Sequence, residues 1–389
     1  MPLAVYVLGL GIFSMTTSEF MVSGMLPLLA SAFGVSVGTI GYLISAYAFG
    51  LVTGGPFLAF GLLRFNKRTT ILVLLAVYAL DQALGALAPT YSVLMLSRLI
   101  GGVASAAYFG AALSICSDLV PENKQGKASS VVLSGLVAST VVGLPLATYL
   151  GEVAGWRASF WVVAGLTTTV GLLAYRLVPS GSAPEAVSTR RELDAFRNRH
   201  LWRAYASSAL VVASVFAAFS FFAPILTAVT GFSESALPGI LALAGLAGLI
   251  GTLAVGRVAD AWTIEVQVIG MVLLAASMML FVLGVENPLL VVIAIVLIGL
   301  VGISMNPAMV TRVMRVGGGK PLINTVHSSV LNTGVLVGSW VGGLAIHLGF
   351  GLTSPLWAGA VFALMALLSL VVVLNCPEDG ARRVPSTTR

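Results

Sequence analysis

Twelve long apolar segments follow one another along the chain, separated by stretches of polar residues, Gly and Pro. About 20 mostly apolar residues are enough to cross the roughly 30 Å hydrocarbon core of a bilayer. Because hydrocarbon offers no partner to a free backbone amide, and because the segments are too long for barrel strands, each is predicted to be a transmembrane helix. The predicted spans are residues 4–29, 38–62, 70–88, 92–116, 126–150, 156–178, 204–228, 236–258, 264–284, 288–311, 322–346 and 354–375.

The scarcity of charge supports the same prediction. Only 9% of the 389 residues are charged and 58% are hydrophobic, whereas a soluble domain carries roughly 25% charged residues. This excludes a soluble enzyme, a secreted domain, a disordered chain and a DNA-binding protein, although the net charge is +6. The two cysteines cannot form a disulfide framework. The N-terminus lacks the basic region of a signal peptide, so the first segment is predicted to be kept as a span.

The distribution of basic residues predicts the orientation of the spans. If the N-terminus is cytoplasmic, 18 of the 20 basic residues fall in inner loops or in the tail. The outer loops then hold only Arg157, and Arg98 lies within a span. By the positive-inside rule, both termini are predicted to be cytoplasmic, in a multi-pass protein of the inner (plasma) membrane. Since topology explains the basic surplus, the lipid bilayer is an expected partner and nucleic acid is not.

The longest polar stretch divides the spans into two groups of six. We predict an N-terminal six-helix bundle at 1–178, a cytoplasmic linker at 179–203, a C-terminal bundle at 204–376 and a cytoplasmic tail at 377–389. A shift of 197 residues aligns matching turn residues of the two halves. It places Pro27, Gly34, Ser36 and Gly54 on Pro224, Gly231, Ser233 and Gly251. Parallel repeats of six helices are typical of transporters that bind substrate between two bundles and rock them alternately.

Four ionisable residues fall clearly within the predicted spans: Glu19, Asp81, Arg98 and His327. A charge at the bilayer centre costs about 2.5–3.5 kcal/mol, so each of them is a functional candidate, with a structural hydrogen bond as the alternative. Burial favours the neutral form of a carboxyl, which suits reversible proton binding by Glu19 or Asp81. Arg98 stays charged and needs an acceptor, and a contact with Asp81 is one possibility. His327 is a weaker candidate, because a lone His in a polar helix turn is more often structural.

Several short motifs resemble those of the major facilitator superfamily, and the resemblance covers the whole chain. The basic loop with Arg64, Lys67 and Arg68 is similar to motif A of the family, although Leu63 stands where the usual acid would be. The 197-residue shift carries Leu63 onto Asp260, in a second copy that begins at Gly256. The resemblance implies clamps at the cytoplasmic side, with the N-terminal clamp weakened or differently made. A plain positive-inside anchor is the alternative.

Two further motifs lie inside spans four and five. Arg98-Leu-Ile-Gly-Gly102 resembles motif B, whose Arg is implicated in proton coupling in the family. Gly135, Gly143 and Pro145 partly match motif C, the Gly/Pro pattern typical of antiporters. The alternative for the latter is an ordinary packing face of small residues, and Pro145 would kink its helix.

The most specific stretch is Thr17-Ser-Glu-Phe-Met21, together with Gly155–Trp161 and the loop at Lys124–Lys127. These residues resemble the drug:proton antiporter-1 branch, and in particular actinobacterial chloramphenicol exporters. They are somewhat less similar to the nucleoside and sugar exporters of the same branch.

The resemblance implies an all-α fold of 12 transmembrane helices, in two six-helix bundles related by a pseudo-two-fold axis. It also places a cavity between the bundles, and an apolar aromatic pocket suits a small, mostly neutral compound. The candidate substrate-binding residues are Glu19, Tyr42, Tyr108, Phe216, Phe219, His327 and Asn332. Packing or lipid contact is the alternative for each aromatic residue.

We therefore predict a proton-coupled exporter of a small, moderately hydrophobic compound, with chloramphenicol as the first candidate. The alternatives are an exporter or facilitator of sugars or nucleosides and a membrane sensor that binds ligand without transport. No Walker A loop, hydrolase motif or metal-ligand spacing occurs in the sequence, so no enzyme activity, metal or cofactor is expected. The partners expected besides lipid are protons and the substrate, and the chain is expected to act as a monomer.

Overall fold

The computed structural model describes residues 1–57, 66–121, 124–179, 196–318 and 321–375, and within these ranges the regular structure is helical throughout. Twelve spans, α1 to α12, follow in chain order. The first six are α1 (Leu3–Gly24 and Leu26–Phe33), α2 (Val37–Phe57), α3 (Lys67–Leu87), α4 (Tyr91–Asp118), α5 (Gln125–Ala138, Ser139–Gly143 and Leu144–Ala154) and α6 (Trp156–Leu177). The others are α7 (Arg199–Phe219 and Phe222–Ala228), α8 (Leu237–Val258), α9 (Thr263–Leu283), α10 (Pro288–Val301 and Asn306–Gly317), α11 (Pro321–His347) and α12 (Ser354–Asn375).

The spans confirm the prediction from hydropathy. Eleven described helices are long and apolar enough to cross a membrane, and the described part of α12 adds a shorter apolar helix, Ser354–Leu370. The largest differences are at α7, which begins at Arg199 rather than 204, and at α10, which continues to Gly317 rather than 311. Residues 58–62 of the second predicted span lie outside the described residues, as do most of the predicted linker (180–195) and the whole tail.

Four spans are interrupted, and each interruption lies just before a proline. Proline has no N–H to donate to the carbonyl four residues earlier, and its ring crowds that carbonyl. Thus α1 breaks at Met25 before Pro27, and α7 breaks at Ser220 and Phe221 before Pro224. The two prolines, Pro27 and Pro224, are related by the 197-residue shift. The π-helical turn Ser139–Gly143 precedes Pro145 in α5, and α10 breaks before Pro307.

The two bundles meet along two seams, α2 against α11 and α5 against α8. In the first seam the Ser45 and Ser339 hydroxyls hydrogen-bond across the bundles at 2.9 Å. A Cβ on Gly38 would lie 2.7 Å from the Gly343 carbonyl oxygen, so even an alanine would push the two helices apart. In the second seam a Cβ on Gly245 would lie 2.5 Å from the Thr140 carbonyl oxygen. The contacts of the first seam fall in the outer halves of α2 and α11, so these helices meet towards the outside.

Candidate functional site

Arg98 is the centre of a buried polar cluster in the outer half of the N-terminal bundle. Its side chain projects from α4 and is only 1% exposed. Nη1 donates to Ser18 Oγ at 3.0 Å, and Nη2 donates to the Glu19 carbonyl oxygen at 3.2 Å. The guanidinium also lies over the Tyr47 ring, 4.1 Å from its centroid. The acceptors of this buried charge are thus a hydroxyl and a backbone carbonyl of α1, with an aromatic face on α2.

Asp81 is joined to Arg98 through two neutral side chains. Gln82 Nε2 donates to Asp81 Oδ2 at 2.9 Å, and Ser18 Oγ donates to Gln82 Oε1 at 2.9 Å. Ser18 uses its single proton toward Gln82 and a lone pair toward Arg98, so the directions of the bonds are consistent. We call Ser18 and Gln82 the Ser–Gln bridge. Among the described residues, Asp81 Oδ1 and Arg98 Nε are buried without a hydrogen-bond partner.

Two tyrosines support the cluster on the side of α1. The Tyr47 and Tyr78 hydroxyls lie 3.1 Å apart, and each is within 3.2 Å of the Met15 carbonyl oxygen. Both side chains are at most 1% exposed. They connect α2 and α3 to α1 one turn below Glu19, so the backbone that carries Glu19 is held from three neighbouring helices.

An aromatic contact joins this region to the C-terminal bundle. Phe20, the residue after Glu19, lies 6.1 Å from Phe216 and 5.9 Å from Phe219 between ring centroids. Phe216 and Phe219 are 5.7 Å apart in an edge-to-face arrangement, which aromatic rings prefer. We call these three rings the bridging cluster. Glu19 is only partly buried. It lies between the Arg98 contact on one side and the C-terminal bundle on the other.

The structure places the other predicted binding residues in different surroundings. Tyr42 is partly exposed in a groove between α2, α4 and α11. Tyr108 is fully buried and donates to the Leu8 carbonyl oxygen at 3.1 Å. Leu8 precedes Glu19 by 11 residues, about 16 Å along a helix. Tyr108 therefore packs well below Glu19, toward the cytoplasm.

His327 and Asn332 lie on α11. His327 is 1% exposed and stacks on Tyr205, with 5.9 Å between ring centroids and an angle of 15° between the rings. Tyr205 precedes Phe216 by 11 residues on α7, again about 16 Å. His327 is thus packed inside the cytoplasmic part of the C-terminal bundle and is not brought to Glu19. Asn332 is partly buried, between that region and the outer seam.

The glycines of the motif C match serve close contact between α5 and α1. A Cβ on Gly135 would lie 2.1 Å from the Gly9 carbonyl oxygen, and one on Gly143 would lie 2.1 Å from Thr17 Oγ1. Pro145 follows the π-helical turn, whose backbone at Thr140 contacts Gly245 of α8. Residue contacts therefore continue from the neighbourhood of Glu19, through α5, to the second bundle.

The basic loop is clamped by an acid that the sequence motif did not identify. Lys67 forms an ion pair with Asp118 at the cytoplasmic end of α4. Arg68 donates to the Tyr175 carbonyl oxygen of α6 and lies 4.8 Å from the centre of its ring. Arg64 lies outside the described residues. Lys67 and Arg68 therefore connect the start of α3 to the cytoplasmic ends of α4 and α6.

The second copy joins an acidic residue between α8 and α9 to a basic residue of α10. Asp260 Oδ1 accepts from Thr311 Oγ1 at 3.4 Å, and Arg315 donates to the Asp260 carbonyl oxygen. Arg315 lies 197 residues after Asp118, so the repeat places a base where the first half has an acid. Gly256 is exposed near the end of α8, and a side chain there would meet open space.

The site residues predicted from the sequence do not include Ser18, Phe20, Tyr78, Gln82 or Asp118, although Ser18 and Phe20 belong to the specific stretch Thr17–Met21. Ser18, Phe20 and Gln82 are direct neighbours of Glu19 or Asp81 in the sequence, and that adjacency is the signal that could have found them. The ranges that the structure describes contain no group of three or more His, Cys, Asp or Glu side chains suited to a metal ion.

Comparison with known proteins assigns the family. A model of the Major Facilitator Superfamily matches residues 8–319. The chain is 31% identical to a chloramphenicol resistance protein of Streptomyces lividans over 392 residues, covering 98% of this chain and 100% of that protein. It is also 31% identical to the inner membrane transport protein YdhP of Escherichia coli K12 over 382 residues, 98% of this chain and 96% of the relative. A probable sugar efflux transporter of Helicobacter pylori is 26% identical, with 94% of each chain covered.

A solved structure shares the fold. It is a bacterial homologue of the human lysosomal transporter Spinster, in an inward-facing and unoccupied conformation. The TM-score is 0.73 at 17% identity, with 96% of each chain covered. The described residues contain eleven helices long enough to cross a membrane and the shorter apolar helix of α12. Together with these helices, the matches identify a multi-pass inner membrane transporter rather than an enzyme. The chain belongs to the major facilitator superfamily.

Proposed function

We propose that the protein exports a small, moderately hydrophobic compound in exchange for protons, by alternating access between its two bundles. The observation that carries this proposal is the position of Glu19. Arg98 donates a hydrogen bond to the backbone carbonyl of Glu19. The next residue, Phe20, packs against Phe216 and Phe219 of the other bundle. A change of charge at Glu19 therefore occurs where the bundles contact each other.

The exchange follows from the cost of a buried charge. An ionised Glu19 is favoured by nearby Arg98 and by water, whereas a closed apolar pocket favours the protonated acid. A proton taken up from the outside neutralises Glu19 and lets the site close, and loss of that proton to the cytoplasm leaves a charged site. Substrate bound against the bridging cluster crosses in the opposite direction. Since both states use one site, transport and proton movement are linked.

Chloramphenicol is the first candidate for the substrate. The relative from Streptomyces lividans is described as a chloramphenicol resistance protein and matches along its whole length. The surroundings of Glu19 agree with such a compound, since aromatic rings offer apolar area and the carboxyl and nearby hydroxyls offer a few polar contacts. One chain supplies both bundles, so we propose that it works as a monomer.

Transport into proteoliposomes tests this function. When the lumen is acidic, protons leave the vesicles through the transporter and substrate enters. Radiolabelled chloramphenicol is therefore expected to accumulate inside, and the lumen is expected to become more alkaline. Dissipating the pH gradient with a protonophore should remove the accumulation. Binding of chloramphenicol without any flux would contradict a transport function and favour a sensor. Flux without a change in lumenal pH would contradict proton exchange.

A sugar is the second candidate, because the Helicobacter pylori relative is described as a probable sugar efflux transporter. Sugar recognition needs many hydrogen-bonding groups, whereas Phe20, Phe216 and Phe219 offer none. The same vesicles with a panel of labelled sugars separate the two candidates. Accumulation of a sugar but not of chloramphenicol would overturn the proposed substrate while leaving the proposed coupling intact.

Replacing Gln82 by Leu is expected to disturb coupling as well as stability. The change breaks the Ser–Gln bridge and removes the donor to Asp81 Oδ2. An unmet buried polar group costs about 1–3 kcal/mol, so the melting temperature in detergent should fall. Because the surroundings of Asp81 change, the dependence of transport on lumenal pH should also shift.

A matched control for this variant is Thr167→Val. It removes another buried hydrogen bond of α1, the 2.7 Å contact between Ser14 and Thr167. We expect it to lower the melting temperature and to leave the pH profile unchanged. Equal pH profiles for both variants and the unmodified protein would show that the bridge is only structural.

A further inference from the structure

A groove of about 530 Å³ opens on the membrane-facing surface where α2, α4 and α11 meet. Its wall is mainly apolar and includes Tyr42 and Phe49 of α2, Leu96 of α4, and Leu336 and Trp340 of α11. Along α4 it extends from Ser92 to Leu99, which is about 10 Å of helix. Because α4 begins at the outer surface, the groove lies in the outer half of the hydrocarbon core.

The groove faces lipid. Phe49, Leu96 and Trp340 are 48%, 52% and 49% exposed, and on transmembrane helices such apolar side chains meet hydrocarbon. An ordered water molecule would find few hydrogen-bond partners in the groove. The polar groups of the lining are a few hydroxyls near the outer end, and Ser45 is already bonded to Ser339. A surface recess without an occupant loses dispersion contacts, so a flexible hydrocarbon chain is the natural filling.

Both bundles build this groove. Tyr42 and Ser45 belong to the N-terminal bundle, whereas Leu336 and Trp340 belong to the C-terminal bundle. The hydrogen bond between Ser45 and Ser339 joins the two sides beside it. If the outer ends of α2 and α11 separate, the two walls separate as well. A ligand in the groove therefore binds the outwardly closed state better than the open one, and it shifts the population toward closure.

We propose that the groove binds an acyl chain of an outer-leaflet phospholipid and that this lipid stabilises the outwardly closed state. The Tyr42 and Ser92 hydroxyls near the outer end suit the polar part of such a lipid, and the apolar walls suit its chain. This goes beyond the proposed export activity, because it concerns which state the empty transporter prefers. The lipid makes the same contribution whichever compound is exported.

A distance measurement tests the proposal without relying on transport. Spin labels are placed at Ser36→Cys and Leu348→Cys, two exposed positions near the outer ends of α2 and α11. Cys116 and Cys376 are replaced by Ser. The distance distribution is recorded by double electron–electron resonance in lipid-free detergent and during titration with dioleoyl-phosphatidylethanolamine. The closed-to-open ratio is expected to rise saturably by about tenfold, within the range usual for coupling between a ligand and a conformation.

Groove-filling variants and a matched control make the test specific. Ala46 lines the groove, so Ala46→Phe, or the smaller change Ala46→Leu, should favour closure without lipid and remove the response to it. Ala76→Phe makes the same substitution at an exposed position of α3 and should leave the response intact. Glycerophosphoethanolamine, which has the headgroup but no chains, should have no effect.

Three results would overturn the proposal. The first is a ratio that does not respond to the phospholipid, and the second is a response to the chain-free headgroup. The third is a saturable closure produced by chloramphenicol in lipid-free detergent and removed by Ala46→Phe, which would make the groove a site for the exported compound. None of these results depends on whether protons drive export.

Discussion

Glu19→Gln is expected to abolish proton-driven accumulation of substrate while leaving the protein folded in the membrane. The amide has the shape of the protonated acid but cannot release a proton. The hydrogen bond from Arg98 ends on the backbone carbonyl of Glu19 rather than on its side chain, so the substitution leaves that contact in place. Each proton exchanged across one pH unit supports about tenfold accumulation, and in the variant this ratio should fall to unity.

Exchange without a gradient distinguishes lost coupling from lost transport. Vesicles that contain the Glu19→Gln variant and are loaded with unlabelled substrate should still take up labelled substrate, because the bundles can alternate between the two states with a permanently neutral site. Glu19→Asp keeps a carboxyl and should keep part of the driven accumulation. Glu152→Gln is the matched control, since Glu152 is also a partly buried carboxyl, at the outer end of α5 with Oε1 lacking a hydrogen-bond partner among the described residues. That control should behave as the unmodified protein.

Unchanged gradient-driven accumulation in both Glu19→Gln and Asp81→Asn would refute the proposed coupling. If only Asp81→Asn loses accumulation, the transported proton binds to Asp81 inside the N-terminal bundle rather than to Glu19 at the contact between the bundles. In that case the Ser–Gln bridge becomes the route by which Asp81 acts on Arg98. The two single variants and the double variant therefore assign the proton to one acid or to the pair.

The spans could be predicted from the sequence because the bilayer imposes its own length and hydrogen-bond requirement on every helix. The prolines that interrupt α1, α5, α7 and α10 follow from equally local chemistry. The short set of buried ionisable groups was also accessible, because a charge in hydrocarbon is costly wherever it stands. Each of these signals is contained in a few consecutive residues.

The direction in which a side chain points was not accessible in the same way. In a soluble helix a polar face marks the outside, but here the lipid-facing side and the packed side are both apolar. Tyr108 and His327 therefore looked like cavity residues and instead pack within single bundles. Phe20 joins the two bundles, although no polar group distinguishes it from the other apolar residues of α1. The acid that pairs with Lys67 is Asp118, 51 residues away in the sequence. Arg315 occupies the position of Asp118 in the second half, and its contact with Asp260 becomes evident only from the structure.

The Ser–Gln bridge illustrates the same limit. Ser18 and Gln82 lie 64 residues apart on different helices, and nothing in their spacing relates one to the other. Their meaning depends on the packing of α1 against α3 and α4, which brings one hydroxyl between an amide and a guanidinium. Long-range hydrogen bonds of this kind have no periodic signature, so they require coordinates.

The substitution Arg98→Lys keeps the positive charge but removes the planar set of donors of the guanidinium. A lysine ammonium is a compact charge on a flexible stem and does not reproduce the planar stacking of a guanidinium on Tyr47. It cannot hold both Ser18 Oγ and the Glu19 carbonyl oxygen in the present geometry. A hydrogen bond to a charged group contributes about 1.5–3 kcal/mol, so gradient-driven accumulation should fall by roughly tenfold or more.

Arg312→Lys supplies the control for this change. Arg312 is a buried arginine of the C-terminal bundle in surroundings similar to those of Arg98, although the 197-residue shift does not align the two. It is 2% exposed on α10 and donates to Ser207 Oγ at 2.8 Å and Gln267 Oε1 at 3.4 Å. Both variants should lower the melting temperature in detergent, since both disturb a buried guanidinium. Only Arg98→Lys should change the ratio of protons moved to substrate moved, because only Arg98 touches the backbone of Glu19. An equal loss of coupling in the two variants would mean that Arg98 acts through the stability of its bundle, and a normal ratio in Arg98→Lys would remove it from the coupling mechanism.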